Sequence, residues 1–158
     1  HDIGKIGIDD RVLKKGDVLT DAEYEEMKRH PAIGAEIMSS IDQLRDTLPA
    51  IRWHHEDWQG SGYPDGLKGE EIPVWARIVA VADTFDAVTT QRVYQNPYTD
   101  EEALVIIQRL TGKRFDPEVA AAFERAFRSQ RIVSRKVEAE DGPEGGPRSV
   151  VETAAIHT

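Results

Sequence analysis

At 158 residues, 39% of them hydrophobic and 31% charged, the sequence fits one globular domain with a real core and a wet surface. No apolar run approaches the roughly 18–20 residues that span a bilayer. The net charge of −9 counts against broad DNA or RNA binding, which needs a basic footprint, and the absence of cysteine fits a reducing cytosol.

Residues 3–19 scatter Ile, Val and Leu among glycines without a helical period, which reads as a structured connector. Thr20-Asp21-Ala22-Glu23 is a capping box, so a helix should run from Asp21 to about His30. Pro31 removes a backbone donor and ends it. A second helix over about 31–41 should bury Ile33, Ile37 and Ile41 at a spacing of four. Thr47-Leu48-Pro49 opens another, reaching about His55, with Leu48, Ile51 and Trp53 apolar. The stretch 57–74 then turns on Gly60, Gly62, Pro64, Gly66, Gly69 and Pro73, a long Gly/Pro-rich loop of the kind that is usually functional.

Val74 to about Thr89 reads as a buried central helix, with Ile78, Val79, Val81, Ala82, Phe85 and Val88 covering most of its circumference. Thr99-Asp100-Glu101-Glu102 opens a helix to about Leu110. Asp116-Pro117 starts a last one to about Phe127, with Val119, Ala122, Phe123 and Phe127 apolar. From Ser129 the pattern fades into a linker-like stretch, so residues 1–128 are expected to form the domain and 129–158 a disordered tail. With no strand alternation, the expected fold is all-α.

The histidines stand at positions 1, 30, 54, 55 and 157. His1 is followed by Asp2, His30 by Pro31, and His54 and His55 adjoin the glycine-rich loop. Neighbouring helical residues point about 100° apart, so the His54 and His55 rings suit two ions, or a metal and a substrate, better than one ion. Asp83 lies in an apolar helix, where an unpaired carboxylate is costly. His1, Asp2, His30, His54, His55 and Asp83 form a mixed imidazole–carboxylate set suited to iron, manganese, zinc or nickel, enough for two ions. Asp86, one turn from Asp83, is expected to orient a histidine by a hydrogen bond.

The segments His1-Asp2-Ile3-Gly4-Lys5, His30-Pro31-Ala32-Ile33-Gly34, His54-His55-Glu56 with Gly62-Tyr63-Pro64, and Asp83-Thr84-Phe85-Asp86-Ala87 stand in an order that resembles the HD-GYP family. Arg92-Val93-Tyr94 and Gly112-Lys113-Arg114-Phe115-Asp116-Pro117 extend the resemblance, which covers about residues 1–128. It implies an HD-domain-like helical bundle that hydrolyses cyclic di-GMP to pGpG and GMP in bacterial second-messenger signalling. Two or three divalent metal ions, iron or manganese first, would be held by His1, Asp2, His30, His54, His55 and Asp83, with Asp2 bridging. Lys5 and Arg92 would face the substrate phosphate, and Tyr63 and Tyr94 would also line the substrate.

The resemblance further implies cytoplasmic work and diguanylate-cyclase (GGDEF) partners meeting the Gly62-Tyr63-Pro64 loop. An upstream sensory or receiver domain would precede this stretch. The family draws further ligands from a helix before the His-Asp motif, so the N-terminal helices are expected to lie outside this sequence. Gln59 and Gln95 depart from the family pattern, which usually has an acidic residue or asparagine at the first and a basic residue at the second. Two other readings compete: a catalytically inactive nucleotide- or partner-binding module, and an HD hydrolase of another cyclic dinucleotide. Metal-dependent turnover separates the first, and a substrate panel the second.

Overall fold

The computed structural model of the chain describes residues 1–90, 97–132 and 134. Arg92, Tyr94, Gln95 and nearly all of the expected tail lie outside the described residues. Among the described residues seven α-helices run in order: α1 (Asp10–Leu13), α2 (Asp21–Met27), α3 (His30–Ser39), α4 (Leu48–Trp53), α5 (Val74–Thr89), α6 (Asp100–Leu110) and α7 (Pro117–Arg128). Three 3-10 turns, Asp2–Gly7, Asp42–Thr47 and Gly69–Glu71, join them, and no strand occurs among the described residues. The all-α expectation holds. Two compact units are distinguished, His1–Ala80 with Gly112–Asp116, and Val81–Thr111 with Pro117–Thr158; the division falls within α5.

In the first unit, α3 packs on the Asp2–Gly7 turn and on α4, and α1 packs on α2. The capping box at Thr20 is fully formed: its hydroxyl accepts from the Glu23 amide while the Glu23 carboxylate accepts from the Thr20 amide at 2.7 Å. The helix it opens ends at Met27, and α3 begins at His30 itself, one residue before the proline, which occupies the first turn where its missing N–H is harmless.

Of the face expected to be buried, Ile33 is half-buried and Ile41 lies beyond the end of α3. Ile37 and Ile41 are 39% and 40% exposed, and the buried residues are His30, Pro31 and Gly34. The reason is a close backbone crossing. A Cβ on Gly4 would lie 1.9 Å from the His30 carbonyl oxygen and 2.4 Å from the Gly34 amide nitrogen, so only glycine lets the turn lie directly on α3. That crossing, not an isoleucine ridge, is what α3 covers. Helix α5 is also less buried than its composition suggests: Ala76, Ala80, Val81, Thr84, Phe85 and Val88 are buried, whereas Val74, Trp75 and Ile78 are exposed.

The turn 112–116 belongs to the first unit and carries structural weight there. The amides of Trp58 and Gln59 donate to the carbonyls of Arg114 and Lys113, both at 2.9 Å. Arg77 on α5 donates to the buried Asp116 carboxylate and to the Ile72 carbonyl, each at 2.7 Å, and lies over the Trp58 ring. In the second unit, α6 opens with the expected capping box at Thr99 and buries Ala103, Leu104 and Ile107. Helices α6 and α7 pack together, and Phe85 meets Phe123 and Phe127 at ring separations of 5.2 and 6.0 Å. Ala122, one of the apolar positions noted on the last helix, is exposed, and Ala120 is buried.

Candidate metal centre

Three histidines converge in the first unit. His30, His54 and His55 are all buried, and each offers a ring nitrogen within 4.8 Å of the others. His1, Asp2 and His54 form a second, overlapping group with the same spread. His54 is common to both.

Local structure sets the tautomers. The Nδ1–H of His30 donates to the Met27 carbonyl, and that of His54 to the Ile51 carbonyl, both at 2.8 Å. A carbonyl can only accept, so Nδ1 carries the proton on each ring and Nε2 is left with its lone pair. Those two Nε2 atoms face one another 3.3 Å apart. In the neutral rings this sets lone pair against lone pair, an arrangement that a shared cation relieves. A buried carbonyl behind Nδ1 is also how metal-ligating histidines are usually fixed. His55 adds a buried Nε2 with no hydrogen-bond partner. Burial pushes His30 below its ordinary pKa near 6.5. It lowers His55 strongly, with His54, His30, Arg114 and Lys5 adding to the effect. Neutral imidazoles are what a metal requires. The donor set therefore fits a divalent cation, and with no sulfur ligand it is a nitrogen–oxygen site.

Asp2 faces two ways. Its Oδ1 lies 3.4 Å from His30 Nε2, while Oδ2 accepts from the Lys5 ammonium at 2.9 Å and lies 3.9 Å from His1 Nε2. Burial pushes its carboxyl up, but Lys5, His1 and His30 together outweigh that and hold it below its ordinary value. The His-Asp dipeptide is brought to His30 by the Gly4 crossing described above.

The glycine-rich loop closes over the other side. A Cβ on Gly62 would lie 2.3–2.4 Å from the Asp57 amide, the Glu56 Cα and the His55 carbonyl. The next residue, Tyr63, reaches back so that its amide donates to the His55 carbonyl at 3.1 Å. Its ring stacks on His55, centroids 4.8 Å apart and planes 21° apart. The Tyr63–Pro64 peptide is cis.

Glu56 holds the rest of the loop, a role not assigned to it from sequence. Its carboxylate is buried and accepts the amides of Asp65, Gly66 and Leu67 at 2.7, 3.0 and 2.9 Å. Asp65 is gripped in turn by Arg52 at 2.8 and 2.9 Å and by the Trp53 indole at 2.7 Å. The signal in the sequence was a charged residue directly after two histidines. Gln59 has an exposed side chain that donates to the Ser61 hydroxyl, which donates to Asp57.

Of the expected site residues, His1, Asp2, Lys5, His30, His54, His55 and Tyr63 come together in the first unit. Asp83 is half-buried on α5 in the second unit, and Asp86, expected to orient a histidine, is exposed. Arg92 and Tyr94 lie outside the described residues.

Residues 1–119 match the HD domain family, and the chain belongs to it. It is 47% identical over 151 residues to the cyclic di-GMP phosphodiesterase of Thermotoga maritima, across 94% of this chain and 41% of that protein. It is 50% identical over 128 residues to the cyclic di-GMP phosphodiesterase response regulator RpfG of Xanthomonas campestris, across 79% of this chain and 34% of that protein. A 3'3'-cGAMP-specific phosphodiesterase 2 of Vibrio cholerae is 38% identical over 123 residues, across 75% of this chain and 23% of that protein. The chain thus spans less than half the length of these relatives. The HD-GYP resemblance carried by the motifs is borne out.

Proposed function

We propose that this chain is the metal-dependent phosphodiesterase domain of a protein that hydrolyses cyclic di-GMP to pGpG and then GMP in bacterial second-messenger signalling. The observation that carries the reading is the pair of buried Nε2 lone pairs of His30 and His54, 3.3 Å apart, beside Asp2 and the unpartnered His55 Nε2. His1, Asp2, His30, His54 and His55 would hold two or three divalent ions, iron or manganese, with Asp83 completing the set and Asp2 as the bridging carboxylate. Such ions would polarise a phosphodiester and lower the pKa of water so that it gives up a proton and becomes a nucleophile near neutral pH.

The chain's own residues do the rest. The Nδ1–H bonds of His30 and His54 hold their rings in one tautomer throughout. Lys5, now paired with Asp2 Oδ2, presents a compact ammonium beside the ligands and offsets charge developing on the phosphate. Arg92, whose guanidinium fork suits a phosphate bidentately, would serve the same charge, and Tyr94 would contact the substrate. Diguanylate-cyclase domains meeting the Gly62-Tyr63-Pro64 loop, and an upstream sensory or receiver domain, belong to this reading, as does cytoplasmic work; no helix of the described residues is long and apolar enough to cross a membrane.

The test is turnover of cyclic di-GMP with added manganese or ferrous iron, with products separated and a chelated control. Metal-dependent appearance of pGpG supports the proposal. Metal binding without turnover would leave a binding module in its place. The named 3'3'-cGAMP-specific relatives favour a second substrate, so 3'3'-cGAMP belongs in the same panel.

A further inference from the structure

We propose that Tyr63 is a positioning residue for His55, its flat ring taking the place of the hydrogen bond that the other two buried histidines have; this rests on His55 being a metal ligand, as proposed above. The three rings are secured differently. His30 and His54 each donate Nδ1–H to a carbonyl three residues back, at 2.8 Å, which fixes ring rotation. Among the described residues, no hydrogen bond holds the His55 side chain. The rings against it are Tyr63 at 4.8 Å and 21°, His54 at 4.1 Å and 45°, and His30, edge-on, at 5.1 Å and 87°. Of these, Tyr63 alone lies nearly parallel to the imidazole.

The loop is built to deliver that ring. Gly62 passes so close to the backbone of 55–57 that no side chain fits, and the Tyr63 amide bonds the His55 carbonyl, so ring and imidazole come from one closed turn. The Tyr63 hydroxyl is buried and has no hydrogen-bond partner. A phenol that hydrogen-bonds a substrate needs its oxygen in the open, whereas a phenol serving as a wall needs only its face. The Lys28 ammonium, 5.8 Å from the Tyr63 ring centroid and 5.3 Å from that of Tyr24, adds a cation–π contact to the same ring. A flat wall restrains rotation of the His55 ring about its Cβ–Cγ bond, and ligand orientation governs metal affinity.

The experiment titrates cobalt(II) into the chain and its variants, reading affinity and the visible ligand-field spectrum. Loss of a partner that orients a ligand typically costs 10–100-fold in metal affinity. Tyr63→Leu is therefore expected to bind at least about 10-fold more weakly and to shift the spectrum, whereas Tyr63→Phe, which keeps the wall, retains both. Tyr63→Met, which refills the volume with a flexible chain, is the second variant should the leucine protein not fold by circular dichroism, and it should lose affinity alike. Cobalt binding unchanged in the folded Leu or Met variant overturns the proposal, and so does a Phe variant as weak as Leu, which would assign the role to the hydroxyl. His55→Ala is measured alongside. If it binds cobalt like the natural chain, the ligand reading itself has failed, which is a different result from failure of the wall.

Discussion

Glu56→Gln isolates the anchor of the glycine-rich loop with the smallest change of shape. In the natural chain one carboxylate oxygen accepts from the amides of Asp65 and Gly66, and the other from Leu67. The glutamine amide can turn its oxygen to the first two, but its NH2 then faces the Leu67 N–H, donor against donor. A hydrogen bond to a charged group contributes about 1.5–3 kcal/mol, and a neutral one about 1. Losing one and weakening two gives about 4 kcal/mol. Burial pushes the Glu56 carboxyl above its ordinary pKa, so removing the charge also relieves desolvation and returns part of that. The net expectation is about 3 kcal/mol. The assay is urea unfolding followed by tryptophan fluorescence, because Trp53, Trp58 and Trp75 all lie in the first unit. With a slope of about 2 kcal/mol per molar, the midpoint should fall by about 1.5 M. A variant within about 0.5 kcal/mol of the natural chain would show that the three amides are satisfied without the carboxylate, and the loop argument would be wrong.

Gly4→Ala should be among the most damaging single changes, about 3 kcal/mol or more, because its Cβ meets backbone atoms 1.9 and 2.4 Å away that cannot yield without moving α3; thermal unfolding reads the loss, and a variant that melts like the natural chain would refute the close crossing. The metal-free chain should lose stability as the pH falls below about 6.5, because His30 and His55 are both held below that ordinary value by burial. The unfolded chain then binds more protons than the folded one, and each histidine contributes a slope of up to roughly 1.4 kcal/mol per pH unit. Urea midpoints at pH 7 and 5.5 with a chelator present check this, and a flat profile would mean the rings are not buried neutral.

The helical fold was legible because its signals are local. The capping boxes at Thr20 and Thr99 and the prolines at 49 and 117 each mark a helix start that the structure keeps. Which face a helix buries was less legible. Ile33, Ile37 and Ile41 fit a helical stripe, yet the close approach at Gly4 gives the buried face to His30, Pro31 and Gly34. Apolar content alone does not reveal a backbone crossing made possible by an absent side chain. The histidines that converge could be picked out because imidazoles are few and the motifs are ordered. Glu56 was passed over because its partners are backbone amides, which carry no residue identity. Tyr63 was expected to line substrate, and the sequence could not show that its hydroxyl is enclosed while its ring faces His55.

His54 lies in both candidate metal-binding groups, so one substitution tests the whole centre. The measurement is bound manganese and the initial rate of cyclic di-GMP hydrolysis for His54→Ala beside the natural chain, at equal protein and metal concentrations. The account predicts that bound manganese and rate fall together, because each group loses a ligand and His30 Nε2 loses the nitrogen 3.3 Å away. A His54→Ala protein that holds as much manganese as the natural chain would contradict a metal centre built on these histidines.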